Sequence, residues 1–132
     1  MEDRKQMTEI RKSIKSFRDL KVYTEAHRLA LEVFTVSKKF PKEENYSMID
    51  QIRRSSRSIS ANIREGFAKR KYPNVFIRHL TDAIGSCEET REWLDFAFEF
   101  SYIQKSTHEL LDRQYDQVSA MLYTLINRWI SY

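Results

Sequence analysis

The chain has 132 residues, 41% of them hydrophobic and 32% charged, with a formal net charge of +4. That length fits one domain, and such a chain buries roughly 65–70% of its unfolded surface, enough for a real core. Two Gly and two Pro argue against a loop-rich fold, one Cys excludes an internal disulfide, and no apolar run exceeds four residues, which excludes a membrane span.

Residues 1–16 carry only a weak pattern around Met7, Ile10 and Ile14, and read as a flexible or weakly helical arm. The start, MEDRKQMTEIRKSIKSF, has no apolar h-region, so no signal peptide is expected. With a single cysteine, that points to the cytoplasm. In the next stretch Val22, Ala26, Leu29, Ala30, Val33, Ser37 and Phe40 share one face, which predicts a helix over 19–39. FPKEENY (40–46) ends it, because Pro41 lacks an N–H and pushes Phe40 out of the α region. Ser47 or Asn45 is expected to cap a second helix over 47–69, and Ser47 followed by Asp50 resembles a weak capping box. KRKYPN then turns, and Pro73 suits a first helical position. The third helix, 73–101, is expected to bury Phe76, Leu80, Ala83, Cys87, Thr90, Leu94, Ala97 and Phe98. The fourth, 104–130, uses Leu111, Tyr115, Val118, Leu122, Leu125 and Trp129. Four long helices with short links predict an all-α, antiparallel up-and-down four-helix bundle over 17–132.

The second helix is the most informative. At about 100° per residue, Ile49, Ile52, Ile59, Ile63 and Phe67 fall on one face. Arg53, Arg57 and Arg64 line another, with Arg54 at its margin, and Lys69, Arg70 and Lys71 extend the charge into the turn. Ser55, Asn62 and Gly66 lie between the faces. Gly66 and Gly85 both fall inside helices, each at a cost of about 1 kcal/mol relative to Ala. Close backbone approach would compensate. Ser55, Ser56, Ala61 and Gly66 are therefore expected to meet Ala83, Gly85 and Ser86, with Asn62, Ser86 and Glu89 in a polar link.

Charge is uneven along the chain. Residues 53–78 hold eight Arg or Lys against one acid, and residues 82–116 hold nine acids against three bases. Such a molecule is electrically two-sided and steers polyanions, or other copies of itself, to one face. Guanidinium forks match phosphate oxygens bidentately, so Arg53, Arg54, Arg57, Arg64, Lys69, Arg70 and Lys71 are the candidate nucleic-acid contacts. Tyr72 and His79 lie near enough to stack on bases. The competing reading is a solvated basic face, or one that pairs with acids of a neighbouring subunit. A further stripe, Trp93, Phe96 and Phe100, lies far round the third helix from its core face and predicts an oligomer interface. Packing against the N-terminal arm is the alternative.

Enzymatic signatures are missing. There is no Gly-rich phosphate loop, no G-x-S-x-G and no H-E-x-x-H, and none of His27, His79 and His108 has the Glu three residues earlier that a di-iron bundle needs. Glu88, Glu89, Glu92, Asp95 and Glu99 read as a solvated face, and Cys87 as a small core side chain. No enzyme, metal or cofactor is expected.

The run FPKEENY–QIRRSSRSISANIREG, then AIGSCEET and AMLYTLI, resembles a bacterial four-helix-bundle family, the 23S ribosomal RNA intervening-sequence proteins. The resemblance spans about residues 17–130. It rests on Gln51, Arg53, Arg54, Ser58, Ile59, Asn62, Ile63, Glu65, Gly66, Gly85, Ser86 and Glu89, most of which look architectural. Arg64 departs from it, standing where a small residue is expected. The resemblance implies small cytoplasmic bundles, some encoded within ribosomal RNA gene insertions. Relatives accompany the reverse transcriptases of diversity-generating retroelements as ring-like homopentamers whose basic surface engages RNA and polymerase. The expected function is thus a non-enzymatic oligomeric scaffold binding structured RNA or an RNA–protein complex, with an RNA-handling protein as a further expected partner. The alternative is a protein-interaction module whose charges serve subunit assembly.

Overall fold

A computed structural model describes residues 14–130. The expectations for Met7 and Ile10 in the N-terminal arm lie outside the described residues. Ser16 opens a short 3-10 turn, Phe17–Asp19, in which its Oγ accepts the Arg18 N–H at 3.2 Å and the Asp19 carboxylate accepts the Ser16 N–H at 3.0 Å. Four helices follow: α1 Lys21–Ser37, α2 Met48–Ala68, α3 Pro73–Glu99 and α4 Lys105–Ile130. Each packs against the next and α4 returns to α1, giving an all-α, antiparallel four-helix bundle. The α1–α4 seam holds a cleft of about 370 Å³ whose lining includes Ile14, Leu20, Val22, Met121 and Leu125.

The core follows the 3.6-residue period. Ile52, Ile59 and Ile63 of α2 meet Leu29 and Val33 of α1, Phe76, Leu80 and Leu94 of α3, and Tyr115 and Leu122 of α4 in one buried cluster. Each such side chain contributes about 1.5–3 kcal/mol by leaving water. Phe76 closes one end of this core, with T-shaped contacts to Phe67 and to Trp129. Three details differ from the sequence reading. Phe98 is 36% exposed and stacks on His108 instead of entering the core. Ile126 is buried beside Trp129 in the last turns of α4, while Leu125 packs only partly buried against the core. Ser47 makes no side-chain cap; its Oγ donates to Glu44 at 2.6 Å.

The tightest join is α2 to α3. Thr90 Oγ1 lies 2.8 Å from both the Ser55 hydroxyl and the Ser86 carbonyl oxygen. The Ser58 and Ser86 hydroxyls are 2.9 Å apart. Asn62 donates to Ser58 and meets His79 Nδ1 through its Oδ1 at 3.1 Å. Gly66 completes the seam, since a Cβ built there would sit 2.5 Å from His79 Cβ and 3.1 Å from the Phe76 ring. Three expected members are absent. Gly85 is exposed with nothing within 4 Å of a built Cβ, and Ala61 is also exposed. Glu89 turns away to accept the Trp93 indole N–H at 3.2 Å. The close approach is therefore made by Gly66 alone, against α3 a turn and a half before Gly85.

The α3–α4 link reverses through Ser101, the one described non-Gly residue at positive φ (65°). Tyr102 N–H donates to the Ala97 carbonyl and Ser101 N–H to that of Phe98, the paired bonds of a Schellman end. Tyr102 Oη then donates to Glu44 at 2.9 Å, tying this link to the α1–α2 link at the same end of the bundle.

The two glycines give opposite expectations. Gly66→Ala should destabilise by about 1–3 kcal/mol, because the His79 Cβ it meets has no freedom to withdraw. Gly85→Ala should stabilise by up to about 1 kcal/mol through helix propensity. Urea unfolding of the two variants beside the parent checks both signs.

Candidate nucleic-acid interface

Arg53, Arg57 and Arg64 project from α2 across the neighbouring α1. The Arg53 guanidinium carbon lies 4.5 Å and that of Arg57 5.9 Å from the centroid of Phe34. Lys38 Nζ is 4.7 Å from the same ring. Arg53 is fixed further by its Nε, which donates at 2.8 Å to the Oγ of buried Ser37. At the other end of α1, Arg64 lies 4.3 Å and Arg18 4.6 Å from the centroid of Phe17. Cation–π contact holds these groups without neutralising them. Among the described residues none of Lys38, Arg53, Arg57 and Arg64 has a carboxylate partner.

The other candidate cations are differently engaged. Arg54 Nε donates to both oxygens of Asp50, one turn earlier. Lys69 pairs with Glu65 at 3.6 Å. Arg70 lies over Phe67 at 3.9 Å and donates to its carbonyl, which satisfies the end of α2. Lys71 sits over the 61% exposed Tyr72. His79 is not free to stack on a base, because it is tucked between Asn62 and Glu65. Lys38 and Arg18 were not among the sequence candidates; only their approach to Phe34 and Phe17 brings them into the cluster.

The opposite face of the bundle is acidic. Arg91 bridges Glu88, Asp112 and Asp116, and the Asp112 hydrogen bond, first among these contacts, raises its pKa. His108 Nε2 meets Asp95 at 2.7 Å. Among the described residues no group of three or more His, Cys, Asp or Glu is arranged to hold a metal ion. No described helix is long and apolar enough to cross a membrane.

Trp93, Phe96 and Phe100 form a run of ring contacts along α3, at 6.0 and 5.7 Å. Trp93 is half-buried, while Phe96 is 37% and Phe100 51% exposed. With Met48, Gln51 and Glu44 they line an apolar groove of about 290 Å³. The Ser47 hydroxyl, then the Tyr102 hydroxyl, holds the Glu44 carboxyl below its ordinary pKa. The described end of the N-terminal arm packs at the opposite end of the bundle, where Ile14 lines the α1–α4 cleft.

A family model described as 23S rRNA-intervening sequence protein matches residues 18–124. The chain belongs to this family. A crystal structure from Bacteroides thetaiotaomicron VPI-5482, of a protein of unknown function from the S23 ribosomal protein family, superimposes with a TM-score of 0.73. It is 26% identical, and the match covers 80% of this chain and 97% of that one. Among curated proteins none matches.

In this intervening-sequence family member, the positions that carried the resemblance have distinct jobs. Ser58, Asn62, Gly66 and Ser86 build the α2–α3 seam, while Ile59 and Ile63 fill the core. Arg53 stands apart, because its guanidinium leaves α2 for the α1 ring.

Cys87 is fully buried, donates to the Tyr115 carbonyl at 3.1 Å and accepts from the Ser119 hydroxyl at 3.2 Å. Burial pushes its thiol pKa from 9.0 to about 11. The folded state thus keeps a proton that the unfolded chain releases, so stability holds below pH 9 and falls as pH rises toward 11. Its slope there should be at most about 1.4 kcal/mol per pH unit for this group. Cys87→Ala should delay the onset toward the range where tyrosines ionise, read from urea midpoints across pH 8–11. Native Cys87 should also resist thiol reagents at pH 8 and react once the chain is unfolded.

Proposed function

We propose that this protein is a non-enzymatic, oligomeric RNA-binding scaffold of the cytoplasm, with the α1–α2 face as its RNA surface. The carrying observation is the set of cations held on Phe34 and Phe17 without carboxylate partners, opposite an acidic α3–α4 face. Unneutralised guanidinium groups at fixed positions suit phosphate oxygens. The family's name, which ties it to 23S rRNA intervening sequences, supports RNA as the polyanion. The sequence carries no recognised RNA-binding motif, so recognition by charge and shape is expected.

The test is fluorescence anisotropy with a labelled, structured RNA and nuclease-treated protein. Log affinity should fall linearly with log salt, at a slope worth several phosphates. Charge reversal by Arg53→Glu with Arg57→Glu should abolish binding and leave the oligomer intact. An oligomer that falls apart on reversal would instead favour the second reading, in which the charges serve subunit assembly.

The exposed Phe96–Phe100 groove supports self-association, and the resemblance makes a five-membered ring the expected form. Phe96→Glu with Phe100→Glu should lower the mass measured by analytical ultracentrifugation to that of a monomer, with helical circular dichroism retained. An unchanged mass would remove this groove from the interface.

A further inference from the structure

We propose that the α1–α2 face binds double-stranded RNA along its phosphate backbone, through two cation clamps, one on Phe34 and one on Phe17. This rests on the RNA-binding reading above and adds the form of RNA and the residues that grip it. The first clamp is Lys38, Arg53 and Arg57; the second is Arg18 and Arg64.

Three observations carry it. The first is the electrostatics of the Phe34 clamp. Arg53 and Arg57 are like charges one turn apart, an arrangement that destabilises a helix. Lys38 adds a third charge from another element, 4.7 Å from the same ring, and no described carboxylate offsets any of them. An arriving phosphate relieves that repulsion. The clamp is also preorganised: Ser37 occupies the Arg53 Nε, which leaves the terminal amino groups of its fork for a ligand.

The second is the spacing. Arg64 is seven residues from Arg57 and eleven from Arg53, about 10 and 16 Å along α2. That is several times the roughly 3.4 Å rise per phosphate along one strand of B-form DNA, and on the scale of a duplex groove, about 6–12 Å wide in that form. The wide, shallow minor groove of A-form RNA has phosphates on both edges. One clamp on each strand fits it.

The third is what the aromatic rings do. Proteins that bind single strands expose aromatic faces on which bases stack. Here Phe34 and Phe17 carry cations over them, and Tyr23, between them on α1, packs edge-on against Phe17 at 4.7 Å and lies 5.8 Å from the His27 ring. The exposed Phe96 and Phe100 lie elsewhere, in the groove bordered by Glu44, where phosphate is repelled. Tyr46 and Tyr72 are exposed, but they sit in the links and not between the clamps.

The experiment uses the full chain, a blunt 20-base-pair RNA duplex and one of its strands alone, with anisotropy measured at several salt concentrations. The duplex should bind at least tenfold more tightly than the strand. Arg57→Gln and Arg64→Gln should each weaken duplex binding roughly tenfold and lower the salt slope by about one. Both residues are exposed and outside the core, so their variants should fold, as a thermal melt would verify. The turn triple Lys69→Gln, Arg70→Gln, Lys71→Gln should cost less than Arg57→Gln with Arg64→Gln. Tyr46→Ala with Tyr72→Ala should change affinity less than twofold. Equal or tighter binding of the single strand, a larger loss in the turn triple, or a tenfold loss in the tyrosine variant would overturn the proposal while leaving RNA binding in place. Failure of the parent protein to bind either RNA at low salt would overturn both.

Discussion

The bundle depends on how closely α2 and α3 approach at Gly66. A methyl group there would collide with the Cβ of His79, so the two backbones meet only because one residue has no side chain. From that contact the polar seam runs up the interface through Asn62, Ser58–Ser86 and Ser55–Thr90. These groups are short and pair with each other, so their burial is offset by hydrogen bonds while the helices stay close. The seam also fixes the rotation of α2. With its small side chains on α3 and its isoleucines in the core, the arginines have only α1 and solvent to face.

That rotation explains why the basic row behaves unlike most surface charge. Arg54, Lys69 and Arg70 find a carboxylate or a carbonyl within their own helix. Arg53, Arg57 and Arg64 reach another element and find rings there. A guanidinium stacked on a ring gains attraction and a fixed position yet keeps its charge and most of its donors. An ion pair would have satisfied the same groups and cancelled the field. Of the acids on α1 and α2, Glu25 is taken by Arg28, Asp50 by Arg54 and Glu65 by Lys69. Those of α3 and α4 stand on the far side of the bundle, where Arg91 gathers three of them. The separation of sign is thus a consequence of helix order and rotation, not of net charge.

The two ends of α2 carry different kinds of surface. Near its start, Met48 and Gln51 border the aromatic groove completed by Trp93, Phe96 and Phe100. The link residues Glu44 and Tyr102 hold that end together by a hydrogen bond between the α1–α2 and α3–α4 connections. An apolar groove and a cationic face thus lie on adjacent sides of one bundle.

The sequence by itself determined the helices, their order and most of the core, because burial on a helix repeats every 3.6 residues and few glycines or prolines interrupt it. It also singled out the Arg53, Arg57 and Arg64 row and the small residues beside it, since both follow from angle around one helix. What it left open depended on neighbours in space. Gly66 and Gly85 look alike in a helical pattern, yet only Gly66 faces another backbone. Phe98 fits the core stripe of α3 but lies where α4 offers His108 instead of a cavity. Lys38 and Arg18 join the basic face only because antiparallel packing brings Phe34 and Phe17 under α2. Periodicity fixes which way a side chain leaves its own helix; tertiary packing alone decides what it meets.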